Sequence, residues 1–160
     1  MGCSTEKFLK EGTNLLYENR LYIDGEEKRN AAVKELISPK PNTYFLGIPL
    51  KLQLNQLSKE LPKEYFEKWL NKKSNRKEKL NSLLSPKQVY QLEKYFVRLN
   101  TWMKNNGEEP RIVDSLLIKK NISRLNQFYK NLGYFDVETN FEITELKPKN
   151  QEIKYKVNLK

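Results

Sequence analysis

Two alternating runs near the C-terminal end constrain the fold more than any other feature. Phe135, Val137, Thr139, Phe141 and Ile143 alternate with Asp136, Glu138, Asn140, Glu142 and Thr144. Beyond the turn-like ELKPKNQ, Ile153, Tyr155, Val157 and Leu159 alternate with Glu152, Lys154, Lys156 and Asn158. Successive side chains of a strand point to opposite faces, so the pattern predicts a hairpin with one apolar and one polar face. A hairpin by itself is barely stable in water, and this one needs a further strand and a cover. The strand is found in LLYENRLYIDG, where Leu15, Tyr17, Leu21 and Ile23 fall opposite Leu16, Glu18, Arg20 and Tyr22, and Asp24-Gly25 turns the chain.

The cover comes from two helices. From Glu26 the period changes, and Ala32, Val33, Leu36 and Ile37 form one stripe of a short helix that stops at Ser38-Pro39. Glu26-Glu27 suit its first turn, where negative charge favours the helix dipole. Much later, Asp114 or Ser115 caps a helix whose stripe is Ile118, Ile122, Leu125, Tyr129 and Leu132, with Gly133 placed for a left-handed C-cap.

Between these two helices the chain reads as mainly helical. SPKPNTYFLGIPL holds three prolines and a glycine and turns repeatedly before Leu50, Leu52, Leu54 and Leu57, which lean towards a helix. Pro62 precedes Tyr65, Phe66, Trp69 and Leu70; the basic stretch NKKSNRKEK leads to Leu80, Leu83 and Leu84. Ser85-Pro86 then opens a long helix with the stripe Val89, Leu92, Phe96, Leu99 and Met103, ending near Gly107. The expectation is one α+β domain over 15–160: strand, helix, a helical insertion over about 41–110, helix, strand, strand, with helices covering one face of a three-stranded mixed sheet. Residues 1–14 read as a tether.

Composition limits the chemistry. The 160 residues contain no histidine and a single cysteine, Cys3, so the commonest general base and any Cys/His metal cluster are missing from the sequence. There is no glycine-rich phosphate loop, and no serine or cysteine has a histidine to activate it. We expect no enzyme, cofactor or metal. No run of about 18 apolar residues is present to span a bilayer as a helix. The formal charge of +10 is regional: residues 51–104 carry 13 basic and 5 acidic side chains, or +8. Lys72, Lys73, Arg76, Lys77 and Lys79 form its densest part. Such a surface suits anionic headgroups or a nucleic-acid backbone, and equally a solvated helix face. Tyr65, Phe66, Trp69, Tyr90, Tyr95, Phe96 and Trp102 mostly fit helical stripes and are expected in the core rather than as base-stacking platforms.

The order of elements resembles the β-α-α-β-β plan of the polypeptide-transport-associated (POTRA) domain, which precedes the barrel in BamA and TamA type outer-membrane assembly proteins. DSLLIKKNISRLNQFYKNLGYFDVETNFEI carries the likeness, with Gly133, Tyr134 and Phe135 matching the family's GYF. There the glycine permits a left-handed turn and the aromatics close the helix end over the sheet edge. LLYENRLYIDG, SPKPN with FLGIPLKLQLNQLS, and KNNGEEPRIVDS are similar to the N-terminal region of TamA-like lipoproteins of Gram-negative bacteria. Residues 71–100 depart from the plain unit in being longer and more basic.

The resemblance implies a docking domain on the periplasmic side of the outer membrane. It implies further POTRA units and a barrel after Lys160, and a lipoprotein signal before Cys3, whose modification would anchor the chain to outer-membrane lipid. Gly2-Cys3 fits such a junction; the eukaryotic myristoylation pattern fits less well because Glu6 stands where serine or threonine is wanted. Two or more acyl chains hold a protein durably at a bilayer, and the 11 or so tether residues could reach at most roughly 35–40 Å. The resemblance also implies that the strand from Phe135 to Thr144 is an edge, with the final strand central. Through Phe135, Val137, Thr139, Phe141 and Ile143 that edge would receive a strand from a TamB-like or other assembly subunit, or from an outer-membrane protein client. Asp136, Glu138 and Glu142 could instead blunt it. A monomer that binds no nucleic acid is expected, with a basic nucleic-acid-binding domain as the alternative.

Overall fold

The computed structural model describes residues 9, 11–28 and 31–159. Its elements are β1 (Leu15–Ile23), β2 (Glu26–Glu27), α1 (Ala31–Lys34), α2 (Leu50–Leu57), α3 (Pro62–Asn71), α4 (Ser74–Leu83), α5 (Pro86–Asn106), α6 (Ser115–Asn131), β3 (Glu138–Lys147) and β4 (Asn150–Asn158). They fall into two compact units. The chain up to Asn42 and from Pro110 onward makes an α+β unit, and Thr43–Glu109 makes a helical one.

The sheet of the α+β unit has four strands in the order β2-β1-β4-β3, not the expected three. Asp24 and Gly25 both take positive φ, 48° and 83°, the geometry of a tight hairpin turn. The chain therefore folds straight back, and Glu26 and Glu27 pair with Ile23 and Tyr22 as a fourth strand. They do not open a helix. Two glutamates carry no apolar alternation, which is why the pattern hid this strand.

β4 is central, parallel to β1 and antiparallel to β3. Parallel neighbours need a crossover connection, and α1, the helical unit and α6 all lie within it. The period of β1 is interrupted: the register shifts between Leu16 and Glu18, so Tyr17 is an extra residue in a bulge. This moves Leu16 to the covered face with Leu21 and Ile23, whereas strict alternation put it opposite them.

Helices cover one face. Leu16 and Leu21 of β1, Val33 and Ile37 around α1, Ile118, Leu125 and Tyr129 of α6, and Ile153, Tyr155 and Val157 of β4 make one buried cluster. Each such side chain contributes about 1.5–3 kcal/mol by leaving water. α6 starts at Asp114, whose carboxylate accepts from Leu116 N at 2.7 Å. On the opposite face of the sheet Glu152 is nonetheless buried, with Oε1 2.6 Å from Arg20 Nε and Oε2 3.6 Å from Lys154 Nζ.

Asn121 is the polar centre of this core. Its Nδ2 donates to Ser38 O at 2.8 Å and to Tyr155 Oη at 2.9 Å, while its Oδ1 accepts from Ser38 N at 3.1 Å. One buried amide thus ties α6, β4 and the loop after α1, where the Ser38-Pro39 bond is cis. Asn19 Nδ2 donates to Pro39 O at 2.9 Å and holds the same loop from β1.

In the helical unit, α2 packs on α5 and α3 on α5, with Leu52, Phe66 and Asn100 among the buried side chains. Asn100 repeats the amide device, accepting from Lys59 N at 2.7 Å and donating to Lys59 O at 2.8 Å. α5 begins with a capping box between Ser85 and Gln88. Gly107, just after it, lies so close to α2 that an added Cβ would sit 2.6 Å from Asn55 N.

Replacing Asn121 with alanine removes three hydrogen bonds, the one to Tyr155 fully buried, and leaves Ser38 N–H unpaired. We expect a loss of about 2–4 kcal/mol, measured by urea denaturation. Burial raises the pKa of Tyr155, partly offset by the Asn121 hydrogen bond, and burial likewise raises that of Tyr129. A raised phenol pKa means stability that is complete below the unfolded value near 10 and is lost as pH climbs through and beyond it. The unfolding midpoint should therefore fall above pH 10, and Tyr155→Phe, though less stable at neutral pH, should flatten that fall.

Candidate functional site

The two sides of the sheet end differently. Along β1, Leu16 N donates to Arg111 O at 2.7 Å, Val113 N donates to Asn14 O at 2.9 Å, and β2 pairs with the far end. Asn42 Oδ1 accepts from Arg111 N at 2.9 Å and holds the covering segment in place. That side of the sheet is largely occupied. β3 pairs with β4 alone; among the described residues no other backbone segment hydrogen-bonds to it. It is ten residues long, and the nearest proline, Pro148, lies past its end.

Cover is also missing from its apolar face. Thr139 is buried and its Oγ1 donates to Asn126 Oδ1 of α6 at 2.6 Å. Further along, the helix no longer reaches. Phe141 and Ile143 stand opposite the buried Tyr155 and Ile153 of β4, yet remain 46% and 41% exposed, and Leu146 is open as well. The charges that could blunt the edge lie on the other face: Lys156 Nζ holds Glu142 at 2.7 Å and keeps its carboxyl below the usual range, first by that hydrogen bond and then by charge. A guard on one face leaves the other available.

β3 begins three residues later than the alternation suggests and runs to Lys147, so Phe135 and Val137 precede it. The helix end explains the delay. Gly133 has φ +99°, Gly133 N donates to Lys130 O at 3.0 Å and Tyr134 N to Tyr129 O at 3.1 Å, a Schellman closure that reverses the chain before the strand can start. Tyr134 packs edge-on against Tyr129, with centroids 6.2 Å apart. Phe135 does not close over the sheet; it is 83% exposed. Val137 packs against the core cluster. Leu146 falls outside the alternation because the register shift between Glu145 and Lys147 breaks the period there.

The remaining residues expected to carry function are not part of this strand. Cys3 lies outside the described residues. Lys72 and Lys73 follow α3, and Arg76, Lys77 and Lys79 belong to α4. All are exposed except Arg76, whose guanidinium lies 4.3 Å from the Trp69 ring centroid and donates to Trp69 O at 2.5 Å.

The aromatic residues of the helical unit correct a further expectation. Phe66 is buried and Phe96 half-buried, but Tyr65, Trp69, Tyr90, Tyr95 and Trp102 are exposed. Tyr65, Phe66 and Trp69 of α3 face Leu92, Tyr95, Phe96 and Leu99 of α5 across an apolar groove of about 490 Å³. The apolar surface of these helices exceeds what their mutual packing buries.

Among the described residues no group of three or more acidic or cysteine side chains is placed to hold a metal ion, and no helix is long and apolar enough to cross a membrane. No family model, curated protein or solved structure matches the chain.

Proposed function

We propose that this chain is a POTRA-like docking domain of an outer-membrane assembly factor, which binds an extended segment of a partner subunit or client chain along β3. The observation that carries the reading is the uncovered edge: a ten-residue strand with one neighbour, whose apolar face keeps Phe141 and Ile143 in water. An added strand would bond to the free backbone groups, and its inward side chains would cover that pair. The central, parallel placement of the last strand and the glycine turn at Gly133 support the assignment of type. The fourth strand, β2, departs from the plain β-α-α-β-β plan.

In this reading the domain works on the periplasmic side of the outer membrane. A lipid on Cys3 holds it there, and the partner is a TamB-like or other assembly subunit, or an outer-membrane protein client. Binding is non-covalent and needs no cofactor.

A ten-residue peptide that alternates valine or phenylalanine with threonine should bind the full chain. Phe141→Lys with Ile143→Lys should weaken binding at least tenfold while leaving the circular dichroism unchanged, because both side chains are already half in solvent. Sub-micromolar binding of oligo(dT) with a steep salt slope, together with no peptide binding, would replace this reading with the nucleic-acid one. For the anchor, mass spectrometry of the protein from native membranes should find acyl chains on Cys3, and an unmodified thiol refutes it.

A further inference from the structure

α5 carries two apolar seams, and its neighbours within the helical unit use only one. The inner seam runs through Phe96, Asn100 and Met103, buried or half-buried. The outer seam is Leu92, Tyr95, Leu99 and Trp102, which are 38%, 64%, 55% and 53% exposed. Its spacing of three, four and three residues is the a/d repeat of a helix that packs knobs into the holes of another helix. The seam runs from Leu92 to Trp102, about 15 Å at 1.5 Å per residue, so it can hold nearly three turns of a partner. The second wall is already present: Tyr65 and Trp69, four residues apart on α3, complete the groove beside Leu92 and Leu99.

The rim selects the occupant. Thr43–Glu109 contains 13 basic and 7 acidic side chains, a surplus of six positive charges. At the groove itself Lys59 Nζ lies 5.0 Å from the Tyr65 ring centroid and Arg76 4.3 Å from that of Trp69. A second copy would bring the same charges to the same rim and be repelled. Stacked bases fare no better. Tyr65 already lies parallel to Phe96, with centroids 6.1 Å apart, and Trp69 to Phe66 at 5.8 Å, so each ring has both an aromatic and a cation against it. What the groove lacks is aliphatic filling, and two of its lining rings, Tyr65 and Trp69, carry a cation against them.

We infer that the α3–α5 groove is a docking site for an amphipathic helix of a partner protein, one with aliphatic side chains at heptad a and d positions and acidic residues beside them. This site is separate from the β3 edge and does not rest on it. Helix-in-groove binding anchors three or four side chains in such a seam, and the basic rim sets its specificity and speeds encounter.

The test uses the full chain and two 21-residue peptides with leucine at every a and d position, one with glutamate and the other with lysine at e and g. Like charges keep each peptide from pairing with itself. The glutamate peptide should bind at micromolar concentration by fluorescence anisotropy and the lysine peptide at least tenfold more weakly. Leu92→Ser with Leu99→Ser, at exposed positions, should weaken the glutamate peptide at least tenfold with unchanged circular dichroism, whereas Phe141→Lys should leave it unaffected. The inference is overturned if neither peptide binds, if both bind alike, or if the serine pair changes nothing. It is also overturned if sedimentation finds a dimer that the serine pair dissolves. Phosphatidylglycerol vesicles that bind through the same leucines without competition from the glutamate peptide would assign the groove to a lipid surface instead.

Discussion

The α+β unit depends on the parallel pairing of β1 with β4. Strands from the two ends of the described chain lie side by side, and everything between them must serve as the crossover. The pairing is locked from the covered face by Tyr155, fully buried at the middle of β4, and by Asn121, which binds the Tyr155 hydroxyl and both backbone groups of Ser38. A buried amide with its partners in place costs little and admits few alternatives, because any slip would leave donors and acceptors unpaired in a dry core. Asn42 does related work where the chain leaves the unit and returns, by accepting from Arg111 N.

The helical unit uses the same device, with Asn100 gripping both backbone groups of Lys59, but buries much less. Its amphipathic helices have more apolar surface than their mutual packing covers, and that surplus forms the groove between α3 and α5. β3 presents a comparable surplus on the sheet: its partner strand is covered, whereas Phe141 and Ile143 are not. Each unit thus holds a buried interior beside an uncovered apolar strip. Contiguous strips of this kind are uncommon on proteins that work alone.

Much of the fold was legible. The hairpin followed from alternation, α6 from its stripe between Asp114 and Gly133, and α5 from Ser85-Pro86, because in each case local chemistry and packing demand agree. β2 was not legible, since Glu26 and Glu27 show no alternation and only the two positive φ values of Asp24-Gly25 make them a strand. Alternation places Leu16 on the wrong face because a bulge at Tyr17 shifts the register by one residue, which the pattern alone cannot reveal. Of the candidate edge, Thr139, Phe141 and Ile143 lie on β3, whereas the turn at Gly133 uses up the residues that were expected to start it.

By itself the sequence determined the types of the main elements, the regional positive charge and the absence of histidine chemistry, because these are properties of residues and their spacing. It could not decide which apolar stripes would be covered. Leu92 and Leu99 have the pattern of core residues, as do Phe141 and Ile143, and periodicity reports only that a face wants to leave water. Whether another element reaches that face depends on where distant segments pack. The tertiary structure alone decided that α6 stops short of Phe141 and that α5 packs inward along Asn100. Both proposed binding sites come from that difference between apolar surface presented and apolar surface covered.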